Sequence, residues 1–155
     1  MKFLRPLVFI LISQLAGVIG SVFTSSAIPG WYSTLDKPSF NPPNWIFGPM
    51  WVTLYVLMGI ASYLIWKRRG DIKSVKISLI IFFAHLILNA LWSIIFFGLH
   101  NPMLAFFEIV ILWLSILLLI GLFYRIDKRA SYLLIPYLLW VSFASILNYS
   151  IWKLN

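Results

Sequence analysis

The sequence predicts an all-α membrane protein, a bundle of five transmembrane helices with an ordered, lid-like first loop, in which residues 1–155 form a single domain. Three observations carry this reading. Of 155 residues, 62% are hydrophobic and only 10% charged, against roughly a quarter charged in a soluble domain, and the mean hydropathy is +0.96. Five apolar runs each reach the roughly 20 residues that carry a helix across about 30 Å of hydrocarbon. The runs end in glycine, proline or clusters of bases, which are helix stop signals. Twelve bases and four acids cannot cover the outside of a water-soluble globule of this length, so lipid is the natural solvent.

The first span is read over 6–26. Lys2 and Arg5 before it and Thr24-Ser25-Ser26-Ala27 after it imitate a signal peptide, but the apolar run is long for such a core and a retained helix is expected. Ser13, Gly17 and Ser21, with Ala16, Gly20 and Thr24 alongside, make it a close-packing helix, against the bundle or against a second protomer. The connection over 27–46 is too long for a helical hairpin. Its strings Pro29-Gly30-Trp31-Tyr32-Ser33 and Lys37-Pro38-Ser39-Phe40-Asn41-Pro42-Pro43-Asn44-Trp45 favour a rigid covering, because proline fixes φ and the aromatics seek apolar contact. We read it as a lid over the outer helix ends; the competing reading is a loop whose Trp31, Tyr32 and Trp45 lie at headgroup depth.

The second span, 47–66, carries Phe47, Trp51, Tyr55, Met58 and Ser62 at three- and four-residue spacing, a ladder on one face, and stops at Lys67-Arg68-Arg69-Gly70. The third, 77–97, places His85, Asn89 and Ser93 at i, i+4 and i+8 beside Trp92 and stops at Gly98-Leu99-His100-Asn101-Pro102. Polar groups at this depth face the bundle interior, where Asn89 and Ser93 can bind a ligand or a neighbouring helix, and His85 lies at the depth of Gln14. The fourth, 103–124, holds Glu108, the one acid inside a span, expected to hydrogen-bond the third helix, and ends at Arg125-Ile126-Asp127-Lys128-Arg129. In the fifth, 132–152, Tyr137, Trp140, Ala144, Leu147 and Asn148 share a face, so two aromatic walls can meet across the gap left by Ala144. Tight packing without a ligand explains the same ladders.

Depth separates the tryptophans. Trp45, Trp66 and Trp152 lie at span ends, where membrane interfaces enrich indoles. Trp51, Trp92, Trp113 and Trp140 lie inside spans, where each N–H calls for a partner. At 1.5 Å per residue, Trp51, Trp92 and Trp140 are expected about 6, 8 and 18 Å below the outer surface, a range about as wide as a flat macrocycle.

Lys2, Arg5, Lys67, Arg68, Arg69, Lys73, Lys76, Arg125, Lys128 and Arg129 fall on one side and only Lys37 and Lys153 on the other. The positive-inside tendency then puts the N-terminus in the cytoplasm and the first loop and C-terminus outside the cell membrane. This explains the net charge of +8 better than nucleic acid, for which there is no basic groove or motif. The lack of cysteine excludes disulfides, thiolate metal sites and a thiol nucleophile. His85 and His100 have no ligand spacing, and no metal is expected. Five spans without an internal repeat do not make the paired inverted halves of many transporters. The cholesterol-type pattern occurs at Leu147, Tyr149, Lys153, at Leu57, Tyr63, Lys67 and at Leu122, Tyr124, Lys128, too often to discriminate.

Taken together, Lys37-Pro38-Ser39 to Pro42-Pro43 and Trp45, Phe47-Gly48-Pro49-Met50-Trp51 to Leu54-Tyr55 and Met58-Gly59, Leu88-Asn89 with Trp92, and Pro136-Tyr137-Leu138-Leu139-Trp140, Phe143-Ala144, Leu147-Asn148-Tyr149 and Trp152 resemble the translocator protein family, also called the tryptophan-rich sensory or peripheral benzodiazepine receptor family, with a close likeness to its bacterial members. The resemblance covers nearly the whole chain. It implies a homodimeric five-helix receptor or sensor that binds porphyrins, in some members sterols and benzodiazepine-site drugs, in a pocket beneath the first loop. Porphyrin is then ligand or substrate, with no obligatory cofactor, and membrane lipid is a further partner. By motif position the pocket residues are Tyr32, Pro42, Phe47, Trp51, Asn89, Trp92, Ser93, Trp140, Ala144 and Leu147, and the second-span ladder adds Tyr55. Some bacterial members degrade protoporphyrin IX in light, which gives Trp51 and Trp140 the photochemical role. Phe40, His85 and Glu108 stand where many relatives have Trp, Gln and Asp. A translocator of porphyrin or sterol-like lipid is the alternative function, and a scaffold whose ladders only pack is a third.

Overall fold

The computed structural model describes residues 4–68, 70 and 72–155; Lys2 and Arg69, both counted in the charge asymmetry, lie outside the described residues. Helix α1 (Leu4–Ala27) is followed by α2 (Phe47–Lys67), α3 (Ile72–Ser93), α4 (Pro102–Ile126), and α5 (Lys128–Leu133) with α6 (Ile135–Leu154). No strand occurs among the described residues. Five stretches are long and apolar enough to cross a membrane, α5 and α6 together forming the fifth, Lys128–Leu154. The chain is a multi-pass membrane protein.

The second span begins at Phe47 as expected; several other boundaries depart from the expected ones for local reasons. The first helix does not stop near residue 26 but continues through a π-helical turn, Ile28–Tyr32. Pro29 stands in the opening turn, where its missing N–H costs nothing. Trp31 and Tyr32 then pack on Phe96 and Phe97. Helix α3 begins five residues earlier than the apolar run and takes in Lys73 and Lys76; a lysine is tolerated at a span end because its apolar stem can carry the charge toward water. It too is prolonged by a π-turn, Ile94–Gly98. Asn101 caps α4, its side chain accepting from the Leu104 N–H at 2.9 Å, and Pro102 occupies the first turn. Asp127 alone separates α4 from α5 and caps the latter, accepting from Arg129 N–H at 3.0 Å. Pro136 follows the break at Leu134 and restarts the span as α6.

Around the bundle the spans follow the order first, second, fifth, fourth, third, with α1 closing the ring against α3. The small residues of α1 serve this packing. A Cβ on Gly17 would lie 2.4 Å from the Tyr55 ring and one on Gly20 2.9 Å from Ser93 Oγ. On the facing helix a Cβ at Gly59 would lie 2.4 Å from the Ile10 Cα, so only glycine lets these backbones approach. Of the stripe left open between two partners by the sequence, Ser13, Ala16 and Gly20 are buried within the protomer, while Ser21 is exposed. Toward the basic end the interior is solid, with Met58, Ala61, Ile65, Phe82, Ile116, Leu119, Phe123 and Leu134 wholly buried.

Candidate functional site

Toward the other end the interior opens into a cavity of about 450 Å³, within the size range of small-molecule sites. Phe47, Trp51 and Tyr55 of the second span form one wall, Trp92, Ser93 and Phe96 of the third another, and Trp140, Ala144 and Leu147 of α6 a third, with Tyr32 above. Nine of the eleven residues expected to bind a ligand thus line one space. None of the side chains lining it is charged.

Two expected residues do not line it. Pro42 lies outside the lining. Asn89 sits beneath the cavity, 3% exposed, with its amide consumed by neighbours: Nδ2 donates to the Tyr137 hydroxyl at 2.8 Å and Oδ1 accepts from the Tyr55 hydroxyl. His85 continues the chain, its Nε2 3.2 Å from the same Tyr137 hydroxyl and its Nδ1 2.8 Å from the Phe82 carbonyl oxygen. Gln14 does not meet His85; its Nε2 donates to the Val52 carbonyl at 3.0 Å. These bonds form a polar floor that separates the cavity from the solid half.

Conversely, the structure adds a wall that the motif reading missed. Gln14, Gly17, Ser21, Thr24 and Ile28 of the first helix line the cavity, at the spacing of one helical face. Val18, Ser21 and Ser25 on α1 and Gly48 and Val52 on α2 are exposed as well as lining it, so the cavity opens sideways between α1 and α2. Trp45, treated as interfacial, is 73% exposed yet stands on this rim.

The first connection is ordered, but it does more than cap the outer ends. Asp36 N–H donates to Asn155 Oδ1 at 3.0 Å, and Asn155 Nδ2 returns a bond to the Asp36 carbonyl at 3.0 Å. Phe40 then packs edge-on to Phe143 at 6.3 Å, and Phe47 to Trp140 at 6.0 Å. The connection therefore descends along α6 as a strap. Tyr32 fastens it from inside, donating to Asn41 Oδ1 at 2.9 Å, while Lys37 Nζ caps the Leu35 carbonyl at 2.9 Å and lies 4.9 Å from the Tyr32 ring. Because α2 begins at Trp140's height, Trp51 reaches Tyr137 at 6.3 Å. The wide depth separation expected between Trp51 and Trp140 is thus removed, and both border one compartment.

The buried indoles are pinned unequally. Trp92 Nε1 donates to Asn148 Oδ1 at 3.0 Å, and Asn148 Nδ2 to the Pro102 carbonyl at 2.7 Å. Trp113 Nε1 donates to Ser142 Oγ at 2.8 Å, which makes it a clamp between α4 and α6. Trp140 Nε1 has no partner among the described residues. The hydrogen bond expected from Glu108 to the third helix is not formed either, since neither carboxyl oxygen has a partner among the described residues. Trp31 stacks on His100 at 4.4 Å, and Trp66 lies under Arg5 at 5.3 Å, both away from the cavity lining.

At the basic end Arg68 binds Asp127, Nε donating to Oδ2 at 2.9 Å with a second contact from NH2 at 2.7 Å. Burial alone raises the Asp127 carboxyl, but the Arg68 hydrogen bond, the Arg129 N–H and both guanidinium charges outweigh it and hold the group below the usual carboxylate range.

Five apolar spans around a laterally open, uncharged cavity define a polytopic membrane protein with an intramembrane compartment. The sequence profile of the TspO/MBR family matches residues 9–153, and the chain belongs to that family. It is 43% identical over 156 residues to the tryptophan-rich protein TspO of Archaeoglobus fulgidus, covering 100% of this chain and 99% of that one. It is 36% identical over 148 residues to the translocator protein of Homo sapiens, covering 95% and 88%, and 34% identical over 125 residues to the tryptophan-rich sensory protein of Cereibacter sphaeroides, covering 81% and 77%.

Proposed function

We propose that this protein is a membrane receptor that holds a porphyrin such as protoporphyrin IX, or a flat benzodiazepine-site type drug, in the cavity beneath the strap. The carrying observation is the cavity itself: aromatic rings on three sides, no charge in the lining, and hydroxyl groups of Ser21, Thr24 and Ser93 placed to orient a mostly apolar ligand. Trp51 and Trp140, oxidisable indoles bordering one compartment, are the groups from which an excited porphyrin would take an electron, and light-dependent oxidative degradation of the porphyrin is the activity we assign to them. The protein resides in the cell membrane as a homodimer, with its basic end in the cytoplasm. The names of the relatives, sensory protein and translocator, agree with a receptor or carrier role.

Titration of the purified protein with protoporphyrin IX in dim light tests the binding. Tryptophan quenching is expected to saturate in wild type and in Trp66→Phe, to weaken in Trp140→Phe, and to be followed on illumination by loss of the porphyrin bands. Quenching that does not saturate, or that is identical in all three proteins, would mean partitioning into detergent and would sink the proposal. One observation favours a second reading: the sideways opening between α1 and α2 suits a translocator of porphyrin or a sterol-like lipid, for which directional uptake into sealed proteoliposomes is the deciding measurement.

A further inference from the structure

The hydrogen-bond chain under the cavity has a direction. The Phe82 carbonyl can only accept, so His85 Nδ1, 2.8 Å away, carries the ring proton, and the neutral ring presents a bare Nε2. The Tyr137 hydroxyl lies 3.2 Å from that Nε2 and already accepts from Asn89 Nδ2 at 2.8 Å, so it gives its own proton to the imidazole. Tyr55 and Tyr32, by contrast, donate to the amide oxygens of Asn89 and Asn41. Among these three tyrosines, Tyr137 alone is joined to a base. It is wholly buried, so no oxidant in solution reaches it directly, but its ring meets Trp51 edge-on at 6.3 Å, and Trp51 lines the cavity.

A phenol loses an electron readily only if its proton leaves with it, because the oxidised phenol is a strong acid. An imidazole nitrogen in hydrogen-bond contact can take that proton, and an amide oxygen cannot. We propose that Tyr137 and His85 form a proton-coupled electron relay that re-reduces Trp51 after a photoexcited porphyrin in the cavity has oxidised it. This deepens the light-dependent reading and rests on it. The excited porphyrin takes one electron from Trp51, giving a porphyrin anion radical and an indole cation radical. Tyr137 returns one electron to the indole; its O–H bond breaks, an Nε2–H bond forms on His85, and a neutral phenoxyl radical facing an imidazolium remains. Dioxygen accepts the electron from the porphyrin anion radical and becomes superoxide beside the macrocycle, which returns to its neutral state, while the one oxidising equivalent stays on the Tyr137 phenoxyl. If dioxygen is absent, the electron returns from porphyrin to phenoxyl and the proton from His85, and the starting state is restored. The relay thus spares Trp51 from oxidation and lengthens the time available for oxygen to react.

The test uses the full chain in lipid nanodiscs and needs no porphyrin. A laser flash at the red edge of indole absorption, where phenol is transparent, photoionises the tryptophans, and dissolved nitrate scavenges the ejected electrons. In wild type a phenoxyl signal, read by transient absorption and by EPR after freeze-trapping, is expected to grow as indolyl decays, and to grow more slowly in D2O. Tyr137→Phe, Trp51→Phe and His85→Gln are expected to lose it; the glutamine keeps a hydrogen-bond acceptor and the fold, checked by helicity and Tm, but not the base. A wild-type protein without phenoxyl, or His85→Gln with wild-type yield and rate, overturns the relay. Porphyrin binding and bleaching are measured on the same preparations. If phenoxyl forms but porphyrin neither binds nor bleaches, the porphyrin reading fails and the electron-transfer pair stands. If porphyrin bleaches but the flash gives no phenoxyl, the relay alone fails.

Discussion

The half of the bundle around Phe82 and Phe123 is solid and the half around Trp51 and Trp140 is hollow, although aromatic and branched aliphatic side chains dominate both. The difference lies in how the rings are held. Phe82 and Phe123, 6.2 Å apart, are held only by packing and therefore fill whatever space the helices leave. In the hollow half three of the rings are fastened at their edges, Trp92 to Asn148, Tyr55 to Asn89 and Tyr32 to Asn41, while the Trp140 N–H has no partner among the described residues. A side chain tied at its polar tip cannot swing inward to close a void. Small residues opposite, Gly17, Gly20 and Ala144, supply no bulk to replace it. The cavity is what remains between these pinned rings and the Phe47–Trp140 pair, which pack edge-on at 6.0 Å.

The comparison is broken most directly by large-to-small substitutions in each half. Phe82→Ala removes a wholly buried ring and is expected to cost about 3 kcal/mol through lost dispersion contacts and a new void. Trp51→Ala enlarges a space that already exists and is expected to cost about half as much. Reversible unfolding in mixed micelles measures both; equal losses would show that the two halves are packed alike. Filling gives the reverse pattern. Ala61→Phe, with no room around it, is expected to destabilise by roughly 1–3 kcal/mol or more. Ala144→Phe occupies the cavity, so it should leave stability within about 1 kcal/mol while weakening protoporphyrin binding about tenfold or more, read by the quenching titration.

How much of this was legible in the sequence follows from the same contrast. Helix number, order and approximate ends come from apolar length and from Pro, Gly and basic punctuation, and these survive because a continuous apolar run of about 20 residues satisfies its own backbone in lipid only as a helix. The cavity walls on the second and fifth spans were visible as ladders. What was hidden depended on relative height and on which polar atom meets which. Apolar length does not reveal that α2 begins at Trp140's level, because the strap contributes its own descent. Asn89 was readable as interior but not as saturated by Tyr55 and Tyr137. The α1 wall carried a signal, with Gln14, Gly17, Ser21, Thr24 and Ile28 on one face, but small residues in a membrane helix read first as packing, and Gly17 and Gly20 do both.

The strap supplies a smaller effect. Asn155→Ala removes the paired bonds to Asp36 and is expected to cost about 1 kcal/mol. Because the loss falls on the strap rather than on the bundle, its signature is faster amide hydrogen exchange over 35–43 and faster porphyrin release at nearly unchanged Tm. Unchanged exchange there would show that Tyr32, Lys37 and Phe40 hold the strap without it.

The smallest effect belongs to the far end and sharpens the contrast by its absence at the cavity. The Asp127 carboxyl is held below the usual carboxylate range in the folded protein, so the unfolded chain binds its proton at a higher pH than the folded one. Its contribution is therefore complete above the ordinary carboxylate value and is lost as pH falls through that value toward the depressed one. Arg68 is 54% exposed, and solvent screening limits the contribution to below about 1 kcal/mol. Stability measured from pH 7 downward is expected to decline in this acid window in wild type and to decline less in Asp127→Asn, which keeps the α5 cap acceptor but not the charge. Porphyrin affinity, set in an uncharged cavity on the other side of the polar floor, is expected to be the same in both proteins. A mutant whose affinity changed with Asp127 would show that the solid half transmits what happens at the basic end, and that the two halves are one mechanical unit.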